Sequence, residues 1–124
     1  MSGATYDTGM LIALERRKQR ALAVHEWLGE EGIRVTAPWV VVAEFWRGRT
    51  ERRDAILRSI DIEAPSLQLA KNAGHALAIV ERATIVDAIV MASAALRGDV
   101  VYTSDVDDLG VLQRHFPGVR LLAV

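Results

Sequence analysis

Apolar positions along the chain fall into two alternating rhythms: short unbroken runs, and longer segments in which they recur every three to four residues. The runs read as buried strands, the longer segments as helices with one face on a core. Ala4 to Tyr6 is a short strand, followed by a helix predicted from Thr8 to about Arg20 with Met10, Leu11, Ile12 and Leu14 turned inward. A second helix carries Leu22, Val24, Trp27 and Leu28 and stops at "GEEG", before a strand around Ile33 to Ala37. Pro38 starts the next helix, at a position where a missing N–H costs least. At about 100° per residue, Glu44 shares one side of that helix with Val40, Val41 and Arg47, while Trp39, Val42 and Trp46 lie on the other. Both sides are partly apolar, so coverage is expected from the sheet on one and from another chain on the other.

Thr50 to Ile60 reads as a basic amphipathic helix, Ile62 to Ala64 as a short strand, and Ser66 to Arg82 as a helix capped by Ser66. Thr84 opens a long helix in which Ala88, Ala92, Ala94 and Ala95 permit close packing, Gly98 ends it, and Val100 to Thr103 form a buried strand. A helix from about Val106 to His115 and a strand from Val119 to Val124 follow. Strand and helix alternating through one domain, residues 1–124, predict an α/β fold: a parallel sheet with helices on both faces. In such sheets ligands bind at the carboxyl ends of the strands.

Composition narrows the function classes. A chain of 124 residues, 51% hydrophobic and 25% charged, is an ordered globule large enough to bury a core. It contains no cysteine, which excludes disulfides, thiolate metal sites and cysteine nucleophiles and leaves hard cations as the metal candidates. No signal-like amino terminus and no apolar run near the ~18 residues of a membrane span are present, so a cytoplasmic location without membrane attachment is expected. The net charge of -1 does not advertise nucleic-acid binding, but arginines cluster. Arg16, Arg17, Lys18 and Arg20 form one group and Arg47, Arg49, Arg52, Arg53 and Arg58 another. Each reads either as a helix terminus or solvated face, or as a set of phosphate contacts.

Four acids interrupt the apolar pattern: Asp7 after the first strand, Glu44 in "VVAEFWRG", Asp87 in "ATIVDAIVMASAALRG", and Asp105 after the last long strand. A carboxylate among core residues is costly unless a partner compensates. Asp7 and Asp105 fit N-caps of the following helices, Asp87 fits a capping box with Thr84, and Glu44 is spaced to pair with Arg47. One shared cation accounts for all four at once, and Asp108 adds a carboxylate on the first turn after Asp105.

The runs "YDTGMLIAL", "VVAEFWRG" and "ATIVDAIVMASAALRGDVVYTSDVDDL" resemble PIN-domain ribonucleases, most closely the VapC toxins of bacterial toxin–antitoxin pairs, over nearly the whole chain. The resemblance implies a three-layer α/β/α sandwich on a mainly parallel sheet. It assigns the site acids to Asp7, Glu44, Asp87 and Asp105, with Asp108 as a fifth and Thr103 as a supporting hydroxyl. The family usually has Ser or Asn where this chain has Gly9, so a hydrogen bond from that position is either missing or supplied by Thr8.

The chemistry implied is hydrolysis of RNA phosphodiesters with Mg²⁺ or Mn²⁺. Asp7, Asp87 and Asp105 are the expected metal ligands, direct or through water, joined by Asp108; Glu44 is a ligand or orients the attacking water. Arg16, Arg17, Arg49, Arg52 and Arg53 are the candidate RNA contacts. The implied partners are a cognate antitoxin and a second copy of the chain, with Trp46 as a candidate interface anchor. An inactive PIN-like module that binds RNA or protein is the alternative. A histidine-based ribonuclease is disfavoured because His25, His75 and His115 fall on separate predicted helices. A phosphoacceptor receiver needs a lysine near its last strands, whereas the only lysines are Lys18 and Lys71.

Overall fold

The computed structural model describes residues 2–124. The elements run β1 (Ala4–Tyr6), α1 (Thr8–Glu15), α2 (Gln19–Glu30), β2 (Val35–Pro38), α3 (Trp39–Phe45) and α4 (Glu51–Arg58). They continue β3 (Asp61–Glu63), α5 (Leu67–Ile79), α6 (Ile85–Arg97), β4 (Val100–Thr103), α7 (Val106–Gly110) and β5 (Arg120–Ala123). The five strands form one parallel sheet in the order β3-β2-β1-β4-β5. Central β1 and β2 are buried throughout, as expected for strands covered on both faces, while edge strands β3 and β5 stay largely open.

Strand alternation assigns the layers. Thr5 faces α6, where its hydroxyl meets Arg97 and Asp99, and Tyr6 faces the opposite way, where its hydroxyl meets His25 of α2 at 2.8 Å. Helix α6, buried from Ala88 to Ala94, is the central helix of its layer; its alanines let it lie close to the sheet. The arrangement is the expected α/β/α sandwich on a parallel sheet.

A polar network ties the amino-terminal ends of β1 and β4 to the edge strand β3. Asp99, 4% exposed, accepts from Gly3 N, Thr5 Oγ1 and Arg97 Nε, and Arg97 also donates to Glu63 at 2.5 Å. A buried carboxylate is tolerable only when satisfied in this way.

Several boundaries differ from the sequence reading. The first helix ends at Glu15, not near Arg20, because Arg17 adopts a left-handed φ of 58°. Arg17 N then donates to Leu14 O and Lys18 N to Ala13 O, the paired bonds of a Schellman ending with arginine where glycine is usual. Pro38 closes β2 and stands before α3 instead of opening it. Helix α5 stops at Ile79, short of Arg82, and the predicted helix to His115 gives way after Gly110 to turns stitched by Leu112 N to Leu109 O and Gln113 N to Gly110 O. In α3, Val41 and Phe45 form the buried side, whereas Glu44 is exposed and Trp46 remains 37% exposed. Among the described residues, no helix is long and apolar enough to cross a membrane.

Candidate functional site

The strand order reverses between β1 and β4, and a parallel sheet opens a crevice beyond the carboxyl ends at such a point. Asp7 leaves β1 there as the N-cap of α1, and Asp105 leaves β4 as the N-cap of α7. Asp7 is 7% exposed; its Oδ1 accepts from Met10 N at 2.8 Å and its Oδ2 from Thr103 Oγ1 at 2.5 Å. Thr103 Oγ1 accepts in turn from Asp105 N at 2.8 Å, so one hydroxyl links the two acid-bearing strand ends. Asp105 Oδ1 accepts from Asp108 N at 3.2 Å. Capping and clustering are thus both true of Asp7 and Asp105.

Asp87 enters from the first turn of α6, whose N-cap Thr84 accepts from Asp87 N at 3.1 Å. Glu44 comes from α3, and its Oε1 accepts from Thr8 Oγ1 at 2.6 Å. The pairing expected between Glu44 and Arg47 does not involve the carboxylate: Arg47 Nε donates to the Glu44 carbonyl, which α3 leaves free at its end.

Electrostatics couple these groups. Burial pushes the Asp7 carboxyl up to about 6 against the pull of the Thr103 and Met10 bonds, and the charges of Asp87 and Asp105 add to the rise. Asp87 is raised by burial first, opposed by Thr84, and then by Asp108, Glu44 and Asp105. Asp108, fully exposed, is raised by its hydrogen bond with Asp105 and by that residue's charge. Asp7, Glu44, Asp87, Asp105 and Asp108 thus lie within electrostatic reach of one another in a connected series. Among the described residues, no three of them are gathered into a ready-made metal cage. Mg²⁺ does not need one, since it keeps several waters and binds through one or two carboxylates plus substrate phosphate. An all-oxygen donor set whose members repel one another fits Mg²⁺ or Mn²⁺.

The arginines divide. Arg52 donates from Nε to Glu15 O at 3.0 Å and from Nη2 to Leu14 O at 2.6 Å, and Arg53 pairs with Glu15 at 2.6 Å and Gly48 O at 2.8 Å. These two fasten α4 to the end of α1. Arg16 and Arg17 are exposed, and Arg49 is an exposed partner of Asp54. A cleft of about 270 Å³ beside Glu44 is lined in part by Arg16, Arg47 and Arg53.

Ser104 carries no signal in the sequence. A Cβ on Gly9 would stand 2.1 Å from Ser104 Oγ and 3.4 Å from Asp7 Oδ1, so the serine hydroxyl fills the corner beside the first acid. The clue was a glycine inside a helix with no turn to explain it.

No family model and no curated protein matches the sequence. Solved structures match the fold. A chain of the VapBC2 structure from Rickettsia felis, bound to a DNA fragment from their promoter, superposes with a TM-score of 0.78 at 13% identity over 98% of each chain. DNA-bound VapBC from Salmonella typhimurium gives 0.73 at 16% identity, over 99% of this chain and 98% of that one. A toxin–antitoxin complex from Klebsiella pneumoniae gives 0.73 at 21% identity, over 94% and 95%. At these identities the likeness is one of fold: the chain has the PIN-like architecture found in toxin–antitoxin complexes.

Proposed function

We propose that this chain is a divalent-metal-dependent ribonuclease hydrolysing RNA phosphodiester bonds, and that it serves as the toxin of a toxin–antitoxin pair. The observation that carries the reading is the meeting of Asp7, Asp87 and Asp105 at the sheet's switch point, where each raises or feels the charge of another. Capping explains each acid singly through its own helix, whereas a shared cation explains why acids from three different helices lie within reach of one another. The shared fold with VapBC chains supports the pairing with an antitoxin.

Asp7, Asp87 and Asp105 would hold the ion, with Asp108 beside them. When bound, Mg²⁺ or Mn²⁺ increases the acidity of water, offsets the phosphate's charge and stabilises the leaving oxygen. The chain's own residues do the rest. Met10 N–H and Thr103 O–H fix both Asp7 oxygens, so its remaining lone pairs have one direction. Thr8 holds Glu44 Oε1, leaving Oε2 to accept from the attacking water and orient it. Exposed Arg16, Arg17 and Arg49 offer charge to flanking phosphates.

The test is incubation of the purified, partner-free chain with RNA in Mg²⁺, in Mn²⁺ and in EDTA. Fragments are expected with either ion and none with chelator. Undiminished cutting in EDTA removes the metal mechanism; RNA binding without cutting in any condition leaves the inactive binding module.

A further inference from the structure

We infer that Ser104 is a substrate-binding donor of this cleft, its hydroxyl directed to a non-bridging oxygen of the bound phosphodiester, and that Gly9 is glycine to make room for it. The inference rests on the nuclease reading above. Glycine costs about 0.5–1 kcal/mol relative to alanine in the middle of a helix and less in the first turn, where Gly9 is the second residue of α1, so what decides its use there is its surroundings. Backbone conformation does not require it, because positive φ among the glycines is confined to Gly32, Gly48 and Gly98. Space does. The absent Cβ would meet Ser104 Oγ at 2.1 Å and Ser104 Cβ at 3.2 Å. The chain has thus given up a side chain on α1 to admit a hydroxyl from the β4–α7 junction.

Donor accounting says what that hydroxyl is for. The five acids of the cleft accept hydrogen bonds and, when ionised, donate none; a phosphodiester's non-bridging oxygens are acceptors as well. Among the hydroxyls nearest Asp7, Thr103 gives its proton to Asp7 and Thr8 gives its proton to Glu44. Ser104 is exposed and, among the described residues, makes no side-chain hydrogen bond. Its proton is uncommitted in the corner where a phosphate held beside Asp7 would need a donor, and a bond to a charged acceptor is of the stronger kind.

The experiment exchanges the two side chains. Ser104→Ala should lose roughly 10- to 100-fold in kcat/KM for RNA, the range expected for one hydrogen bond to a charged group. Its affinity for an unmodified RNA oligonucleotide, read by fluorescence anisotropy with Ca²⁺ in place of Mg²⁺ or Mn²⁺, should fall with it. Gly9→Ala, which drives the Ser104 hydroxyl out of its place, should reproduce both losses. The double variant Gly9→Ser/Ser104→Gly returns a hydroxyl to the same corner from the helix side and should recover most of the activity and affinity. Gly9→Ala/Ser104→Gly relieves the crowding without the hydroxyl and should remain low. Melting temperature and its rise with Mn²⁺ should stay near wild type throughout, which separates loss of the donor from loss of the fold or of the ion. Equal behaviour of the two double variants, or wild-type affinity and activity in Ser104→Ala, overturns the inference. If the wild-type chain binds RNA but never cuts it, the nuclease reading fails, and the oligonucleotide affinities of the same variants still decide the role of Ser104.

Discussion

Asp7 is pulled in two directions: two hydrogen bonds favour its charged form, and burial among other acids opposes it more strongly. The outcome, a pKa of about 6 against an ordinary 3.8, has a consequence for stability without metal. Between those values the folded state binds a proton more tightly than the unfolded chain, so this residue's contribution is complete below pH ~4 and is lost as pH rises through about 6. The loss is on the order of 2–3 kcal/mol. Asp7→Asn should remove it: urea unfolding in EDTA should show wild type losing more stability than the variant between pH 4.5 and pH 7. Parallel pH profiles would mean that Asp7 carries no strain. The variant should also lose metal-dependent RNA cleavage. Acids such as Asp7 and Asp87 were legible because each interrupts an apolar run. Ser104 was not, since a serine at a strand end has no pattern of its own and the glycine that makes room for it lies at the other end of the chain.

The least legible element ending is that of α1. "LERRKQRAL" contains neither glycine nor proline, so nothing in it announces a break, yet Arg17 turns left-handed and closes a Schellman motif. A non-glycine residue costs about 1–2 kcal/mol in that conformation. Arg52 offsets part of this from α4 by donating to the last carbonyls, Leu14 O and Glu15 O. Arg17→Gly should therefore raise stability by up to ~1 kcal/mol, after the glycine's greater unfolded-state entropy is allowed for. Arg52→Ala should lower it by roughly 1–3 kcal/mol. Thermal melting of the two variants gives opposite signs if the motif is as described, and the same sign if it is not. The start of α6, by contrast, was legible: Thr84 and Asp87 sit in cap spacing, and Thr84 does accept from Asp87 N. That bond uses the backbone of Asp87, and the Thr84 hydroxyl only partly offsets the rise that burial and the neighbouring acids impose on the carboxyl. Thr84→Ala should cost roughly 0.5–2 kcal/mol, while Asp87→Asn should leave the metal-free protein at least as stable as wild type. A lower apo melting point for Asp87→Asn would return that carboxylate to a structural role.

Over the whole molecule, stability and chemistry occupy opposite ends of β1 and β4. Asp99 and Arg97 are saturated with partners at the amino-terminal ends of β1 and β4, with Glu63 joining them from the last residue of β3, and the acids that follow β1 and β4 are left in mutual repulsion. The alternation of strands and helices made this polarity legible, because it implied a parallel sheet and so a shared carboxyl end for Asp7 and Asp105. Which arginines stay free was not legible, since Arg52 and Arg53 look like Arg16 and Arg17 until the α1–α4 packing is known. Neutralising Arg16 with Arg17 should flatten the salt dependence of RNA affinity by about 0.7 for each phosphate no longer neutralised, and Arg52→Ala should leave the slope unchanged.

An ion that binds the folded state alone should relieve the repulsion at the carboxyl end. At a hundredfold excess over its dissociation constant the gain is roughly 2.7 kcal/mol, enough to move the melting temperature by several degrees. The pH dependence of that gain is the sharper measurement. Below about pH 6 Asp7 holds a proton that must leave before the carboxylate can serve as a ligand, so proton and metal compete for one group. The rise in melting temperature with Mn²⁺ should therefore be small at pH 5 and grow toward pH 7.5, and Asp7→Asn should show little rise at either. A metal response that is equal at both pH values, or that survives in Asp7→Asn, would place the ion away from Asp7 and leave the raised carboxyl as a feature of the α1 cap alone.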